Sequence, residues 1–359
     1  MEYKRNLEEL VDIVIKEGGS DIHIAEGRVP IIRVAGSLLP LIKHKVMARK
    51  DIDGLLDILL SRQNKEIFAD KKQVDFAFTP ETTKSRFRGN AFIQQGLVSV
   101  ALRLIQEHIR TLEELNLPPE LGAFAQKQQG FFLVVGPSGQ GKSTTLAALI
   151  DQINSERLEH IITIEDPVEY VFKPKKAIID QREVRSDTPD FYTALWGVFR
   201  QDVDVVMIGE MRQPETMATA VSAAETGHLV FSTLHTNSAS QTVERIVDSF
   251  PSVQQNQIRL QLAGSLIGIF SQRLVPRISG GLVPAYELLV NNTAISNVIR
   301  DKRTHEIDSI IETCSGEGMI DLNRSLAKLV RDGVITVENA YRYSYNPKTL
   351  EFTIKKGPL

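Results

Sequence analysis

Residues 131 to 150 read FFLVVGPSGQGKSTTLAALI. A short run without polar residues gives way to a loop holding Gly136, Gly139 and Gly141, then to a Lys-Ser-Thr-Thr entry into an apolar helix. The run has the length and composition of a central strand buried on both faces. Gly136, Gly141, Lys142 and Ser143 satisfy G-x-x-x-x-G-K-[ST], and a strand before and a helix after are the context that pattern needs. Glycine permits a tight loop, here running through Ser138 and Gly139, whose backbone N–H groups point inward. The helix N-terminus adds partial positive charge to the same concavity. A nucleotide's phosphates fit such a cradle. Lys142 is expected to reach the β- and γ-phosphates, Ser143 to ligate Mg²⁺ and Thr144 to lie near the α-phosphate. The plainer alternative is a glycine-rich turn capped by serine.

The text around the loop repeats its design. HIITIED (160–166), VDVVMIGE (203–210) and TGHLVFSTLHT (226–236) have the same strand character, and PDFYTALWGVFRQ (189–201) and QPETMATAVSAAETG (213–227) read as helices between them. Strands alternating with helices predict a mainly parallel α/β sheet. In such sheets ligands sit at the carboxyl ends of the strands. That rule places Glu165, Asp166 and Glu169 after one strand and Glu210 after another, where acids could hold magnesium and activate water. Asp166-Pro167 could instead be a simple turn, and Glu210 a salt-bridge partner of Arg212. His228 and His235 bracket LVFSTL with an odd separation, so on a regular strand they face opposite sides of the sheet and do not share a metal. His235, at the strand's end, is the better phosphate or coupling contact.

Before the loop the pattern is different. NLEELVDIVIKEGG (6–19) sets Leu7, Leu10, Val11 and Val14 at helical spacing, and the segments that follow are short, β-branched and punctuated by Gly and Pro. Residues 1–105 are therefore expected to form a small α+β domain, 106–125 a linker, and 126–359 the nucleotide-binding domain. The stretch beyond about residue 255 is expected to be mostly helical, VQQNQIRLQLAGSLIGIFSQRL (253–274) included.

Composition bounds the rest. The 359 residues carry 42 Lys and Arg against 45 Asp and Glu, a net charge of −3, which supplies no whole-chain reason to bind nucleic acid. The single cysteine, Cys314, cannot close an internal disulfide, and no Cys/His cluster suggests zinc. No signal-peptide pattern opens the chain and no stretch approaches the ~18 apolar residues of a membrane span. A cytoplasmic protein is expected, reaching a membrane only through partners.

GPSGQGKSTTLAALI, IITIEDPVEYVF, DVVMIGEMRQPETMATAVSAAETGHLVFSTLHTNSA and ERIVDSFP together resemble the secretion and pilus ATPase superfamily, most closely the PilT-type type IV pilus retraction ATPases. The likeness runs from GGSDIHI to about SGEGMIDLNRSL. It implies a PAS-like N-terminal domain, a RecA-like C-terminal domain, and a homo-hexameric ring that couples ATP hydrolysis to pilin removal at the inner face of the cytoplasmic membrane. An inner-membrane platform protein, and a second pilus motor, are the implied partners. It further implies Walker A roles for Lys142 and Ser143, an Asp box of Glu165, Asp166 and Glu169 with a catalytic glutamate, and a Walker B acid in Glu210. His228 and His235 match its His box, and Arg88 and Arg103 match arginines that the N-terminal domain brings to the nucleotide. Two departures stand out. AISNVIR (294–300) has Ser296 where retraction motors carry the first arginine of AIRNLIR, and the terminal VENAYRYSYNPKTLEFTIKK (337–356) is long and aromatic. Other readings are a PilU-like accessory motor, a PilB- or GspE-type assembly or secretion ATPase, and a RecA-like nucleic-acid translocase. The assembly type usually has a further N-terminal domain and a four-cysteine metal element, and the translocase calls for a basic stripe.

Overall fold

The run that opens the nucleotide-binding pattern is a strand with every residue buried, and the elements around it were obtained from a computed structural model that describes residues 2–34, 36–105 and 108–356. Residues 106 and 107 of the expected linker, and 357–359 of the C-terminal segment, lie outside the described residues. The chain divides into two units, Met1–His108 with Glu169–Val171, and Ile109–Val168 with Phe172–Leu359.

In the first unit, helix α1 (Glu2–Lys16) leads into strands β1 (Gly19–Ala25), β2 (Ile31–Val34) and β3 (Ser37–Pro40). Helices α2 (Arg49–Leu59) and α3 (Arg62–Lys71) follow, then β4 (Gln73–Phe78), β5 (Phe87–Gln94) and β6 (Leu97–Leu104). The strands form one antiparallel sheet in the order β3-β2-β1-β6-β5-β4. Successive strand residues point to opposite faces, so one face can be apolar and the other polar. Ile22, Ile24, Phe87, Val100 and Leu102 make the apolar face and form one core with Leu7, Leu10, Val11 and Val14 of α1 and Ile52 and Leu55 of α2. The polar face carries a row in register across four strands: Arg33 opposite Asp21, Asp21 opposite Arg103, Arg103 opposite Arg88.

The second unit begins with the short α4 (Gly122–Ala125), then β7 (Gly130–Val135), α5 (Lys142–Glu156), β8 (His160–Glu165), β9 (Ile178–Glu183), α6 (Phe191–Val198) and β10 (Val205–Ile208). It continues through α7 (Pro214–Glu225), β11 (Leu229–Leu234), α8 (Ala239–Asp248), α9 (Ser252–Ser265), β12 (Leu266–Pro276) and β13 (Leu282–Val290). Helices α10 (Thr293–Arg300), α11 (Ile307–Thr313), α12 (Leu322–Arg331), α13 (Val337–Tyr343) and α14 (Pro347–Lys356) complete it. The sheet order is β13-β12-β7-β11-β10-β8-β9, parallel throughout except for β13 against β12. Strands β7, β10 and β11 are buried at every position, which is why their sequences are continuous apolar runs rather than alternating ones. At their centre Phe132 packs on Phe124, ring centroids 4.4 Å apart, and edge-on to Phe231 at 5.8 Å.

One expectation fails here. The helix predicted over 253–274 ends at Ser265, and Leu266–Pro276 is strand β12, paired parallel to β7. The segment LIGIFSQRLVP is a short apolar and β-branched run, for which periodicity alone does not separate strand from buried helix. Pairing with β7 on one side and β13 on the other decides it.

Beneath the start of α8, Glu287 of β13 is 8% exposed and accepts a hydrogen bond from Ala239 N at 2.7 Å. Burial pushes its carboxyl up to about 7, the bond from Ala239 opposing and the charges of Asp308 and Asp321 adding. The folded chain thus holds this proton more tightly than an unfolded one, whose carboxyl titrates near 4.5. Its favourable contribution is complete below the unfolded value and is lost as pH rises towards the folded value. Glu287→Gln keeps the acceptor for Ala239 and never ionises. It should raise stability in chemical denaturation by on the order of 1–3 kcal/mol at about pH 8, and by much less at about pH 5.

Candidate active site

Parallel pairing brings the carboxyl ends of four strands to one edge of the sheet. Val135 of β7 is in register with Leu234 of β11, Ser232 of β11 with Ile208 of β10, and Ile208 with Ile164 of β8. The glycine loop, Glu165, Glu210 and His235 leave that edge in turn.

The loop's shape is set by close approach of β12. Gly136 has φ +147, and a Cβ there would lie 2.6 Å from Gln272 O and 3.2 Å from Arg273 Nη1. Gly141, at φ +80, starts α5 with no side-chain cap, so the helix's first N–H groups face the loop's concavity without a competing acceptor from that residue. Gln272 then holds the loop from outside. Its Nε2 donates to Gln140 O at 2.8 Å and its Oε1 accepts from Thr145 Oγ1 at 2.7 Å, while Leu274 N donates to Gln140 Oε1 at 2.7 Å. The sequence gives no sign of Gln272, because its contact with the loop exists only once β12 lies beside β7.

Lys142 is 7% exposed, and its Nζ donates to Gly136 O at 2.8 Å and Pro137 O at 2.9 Å. It also lies 3.3 Å from His235 Nδ1. A neutral His235 that accepts from Lys142 carries its proton on Nε2, and that nitrogen is 3.6 Å from Glu210 Oε2. Lys142, His235 and Glu210 are therefore one constellation. The other oxygen of Glu210 pairs with Arg212 Nη2 at 2.7 Å, so the salt bridge suggested by the sequence coexists with a place beside the loop. Glu165 is 5% exposed and accepts from Thr163 Oγ1 at 2.7 Å and Gln181 Nε2 at 3.2 Å. Asp166 accepts from Arg185 Nη2 at 2.9 Å, and Glu169, in the exposed loop beyond, groups with the first unit. Ser143 and Thr144, half-buried, open α5 beside Lys142, and Ser138 and Gly139 form the loop's crest.

His228 is the expected nucleotide contact that the structure keeps away. It precedes β11 at the opposite edge of the sheet, about 20 Å from the strand's far end at ~3.3 Å per residue, with Nδ1 3.0 Å from Ala223 O and its ring edge-on to Phe199. The six-residue strand between the histidines sets this separation.

Arg88 and Arg103 belong to the first unit. Arg103 Nε donates to Asp21 Oδ1 at 2.8 Å, and Arg33 Nε lies 3.9 Å from Asp21 Oδ2. Burial opposes ionisation of Asp21, but hydrogen bonds from Ser20 and Arg103 hold its carboxyl below the usual range. The row orients Arg103 through a charge-assisted bond and sets Arg88 beside it.

The family described as "Type II/IV secretion system protein" matches residues 2–281. The chain is 41% identical to the type IV pilus retraction ATPase PilT of Pseudomonas aeruginosa over 340 residues, covering 93% of this chain and 97% of that one. It is 38% identical to the type IV pilus ATPase PilU of the same organism over 351 residues, covering 98% and 91%. The crystal structure of the pilus retraction motor PilT with bound ADP superposes with a TM-score of 0.90 at 45% identity, over 96% of this chain and 98% of that one.

The geometry at Gly136 makes a direct prediction. Gly136→Ala should weaken binding of a fluorescent ADP analogue by about tenfold or more, since a Cβ meets a backbone carbonyl that cannot yield. Gly139→Ala has a positive φ of +76 but open space, and should weaken it less.

Proposed function

The chain belongs to the Type II/IV secretion system protein family, and from that premise we propose that it is an ATP-hydrolysing motor that retracts a type IV pilus. The observation that carries the reading is the Lys142–His235–Glu210 constellation around a glycine cradle, in a chain that aligns over 93% of its length with a retraction ATPase. The uncapped N-terminus of α5 and the loop N–H groups would hold the phosphates, and Lys142 would leave the carbonyls of Gly136 and Pro137 for the β- and γ-phosphates. The donor set suits magnesium, because the hydroxyl of Ser143 and the carboxylate of Glu210 are oxygen ligands, and these two would hold the ion. When bound, the ion would draw charge from the phosphoryl oxygens. Glu169 and Glu165 would position the attacking water, Asp166 would shape the nucleotide site, and His235 would link the γ-phosphate position to Glu210.

Arg88 and Arg103 would act on charge that develops during phosphoryl transfer, on a PAS-like first unit that moves relative to a RecA-like second one. Six copies in a ring, bound to a platform protein at the inner face of the cytoplasmic membrane, would turn that movement into withdrawal of pilins. His228, on the far edge of the sheet, would serve as a structural contact of β11. Domain limits at 1–105 and 126–359 belong to the same reading.

A second reading, an accessory motor that works beside another, is favoured by the likeness to PilU and by Ser296. Where an arginine would project, Ser296 Oγ lies 2.9 Å from Ala263 O and 3.2 Å from Asn291 Oδ1, turned into the α9 junction.

Lys142→Ala and Glu210→Ala should each abolish ATP turnover by the purified protein, measured as phosphate release. Arg88→Ala and Arg103→Ala should cut turnover while leaving nucleotide affinity largely unchanged. Cells lacking the protein should carry abundant pili and fail to twitch. Missing pili would show assembly instead, and normal twitching with a second motor intact would support the accessory role.

A further inference from the structure

The long aromatic C-terminal segment has no part in the site described so far, yet it reaches that site. Tyr345, between α13 and α14, donates its hydroxyl to Asn237 O at 2.9 Å. Asn237 lies in the loop that leaves β11, two residues after His235. Its carbonyl also accepts from Ser271 Oγ at 2.7 Å and Arg273 Nη2 at 3.2 Å, and its side-chain Oδ1 accepts from Arg273 Nη2 at 2.9 Å. Arg273 is 6% exposed and donates also to the hydroxyl of Tyr345, and its guanidinium sits 5.5 Å over that ring. Its Nη1 donates to Gln272 O at 2.9 Å, the carbonyl against which Gly136 turns.

We propose that Tyr345 is a positioning residue for hydrolysis: together with Arg273 it pins the backbone of Asn237, and so fixes where His235 stands between Lys142 and Glu210. This rests on the role proposed for His235. A loop leaving a strand has few means of holding one geometry, and a carbonyl with three donors converging on it is a strong restraint. Two of those donors come from β12, which also holds the phosphate loop. The third comes from the C-terminal segment, and through it that segment sets the alignment of the His235 loop.

The test is steady-state ATPase kinetics on the full chain with Tyr345→Phe, which keeps the ring over Arg273 and removes only the hydroxyl. The expected result is a two- to tenfold fall in kcat, about what one hydrogen bond supports, with KM for ATP changed by less than about twofold and the melting temperature unmoved. In a His235→Ala background the same substitution should have no further effect on kcat, because the restrained group is gone. An unchanged kcat in the single variant overturns the proposal. So does an equal fall in both backgrounds, which would mean that Tyr345 acts without His235. A His235→Ala variant with undiminished kcat overturns the reading of His235 and this proposal with it, whereas a slow His235→Ala beside a normal Tyr345→Phe overturns this proposal alone.

Discussion

The close approach of β12 to the turn after β7 is the constraint on which the rest of the site depends. The backbone at Gly136 passes so near the Gln272 carbonyl that no side chain fits between them. That contact fixes the angle at which the chain leaves the sheet, and thereby where α5 begins. The first N–H groups of α5 are useful to an anion only if they open onto a concavity, and the concavity exists because the loop is clamped on one side by the amide of Gln272 and crossed on the other by Lys142. A buried amide with both ends satisfied is a stiff element, since leaving either end unpaired would cost about 1–3 kcal/mol.

Legibility from sequence followed the range of the interactions. The glycine loop, the acids at strand ends and the placing of His235 were readable because each depends on neighbours a few residues away and on the rule for carboxyl ends of parallel strands. Glu210 reads from sequence either as an acid at a strand end or as the salt-bridge partner of Arg212, and it pairs with Arg212 while also lying 3.6 Å from His235, a neighbour that the sequence did not indicate. The apolar runs at β7, β10 and β11 announced strands buried on both faces. What was not readable was decided across long separations. LIGIFSQRLVP became strand β12 because β7 and β13 offered their edges, and the roles of Gln272 and Arg273 exist only in that setting. Glu287 gave no signal either: an isolated glutamate in a strand looks solvated until a helix is laid over it.

The first unit shows the same logic in a simpler form. Its short β-branched segments between Gly and Pro were visible, and so was α1, but the row Arg33–Asp21–Arg103–Arg88 required the register of four strands to be known. One carboxylate between two guanidinium groups leaves a surplus of positive charge on that row. Arg103 is held to a defined direction, while Arg88, its cross-strand neighbour, feels a like charge beside it.

The two borders of the larger sheet are finished differently. On one side β13 runs against β12 and its flank is covered by α12. On the other, β9 ends the sheet with the sequence IIDQRE, in which Asp180, Arg182 and Glu183 alternate charge along a strand of six residues. A border with unsatisfied backbone groups invites any passing strand to extend it, and short, ionic strands discourage this by making each such addition desolvate charge. Strand β9 is for that reason a poor template for edge-to-edge addition.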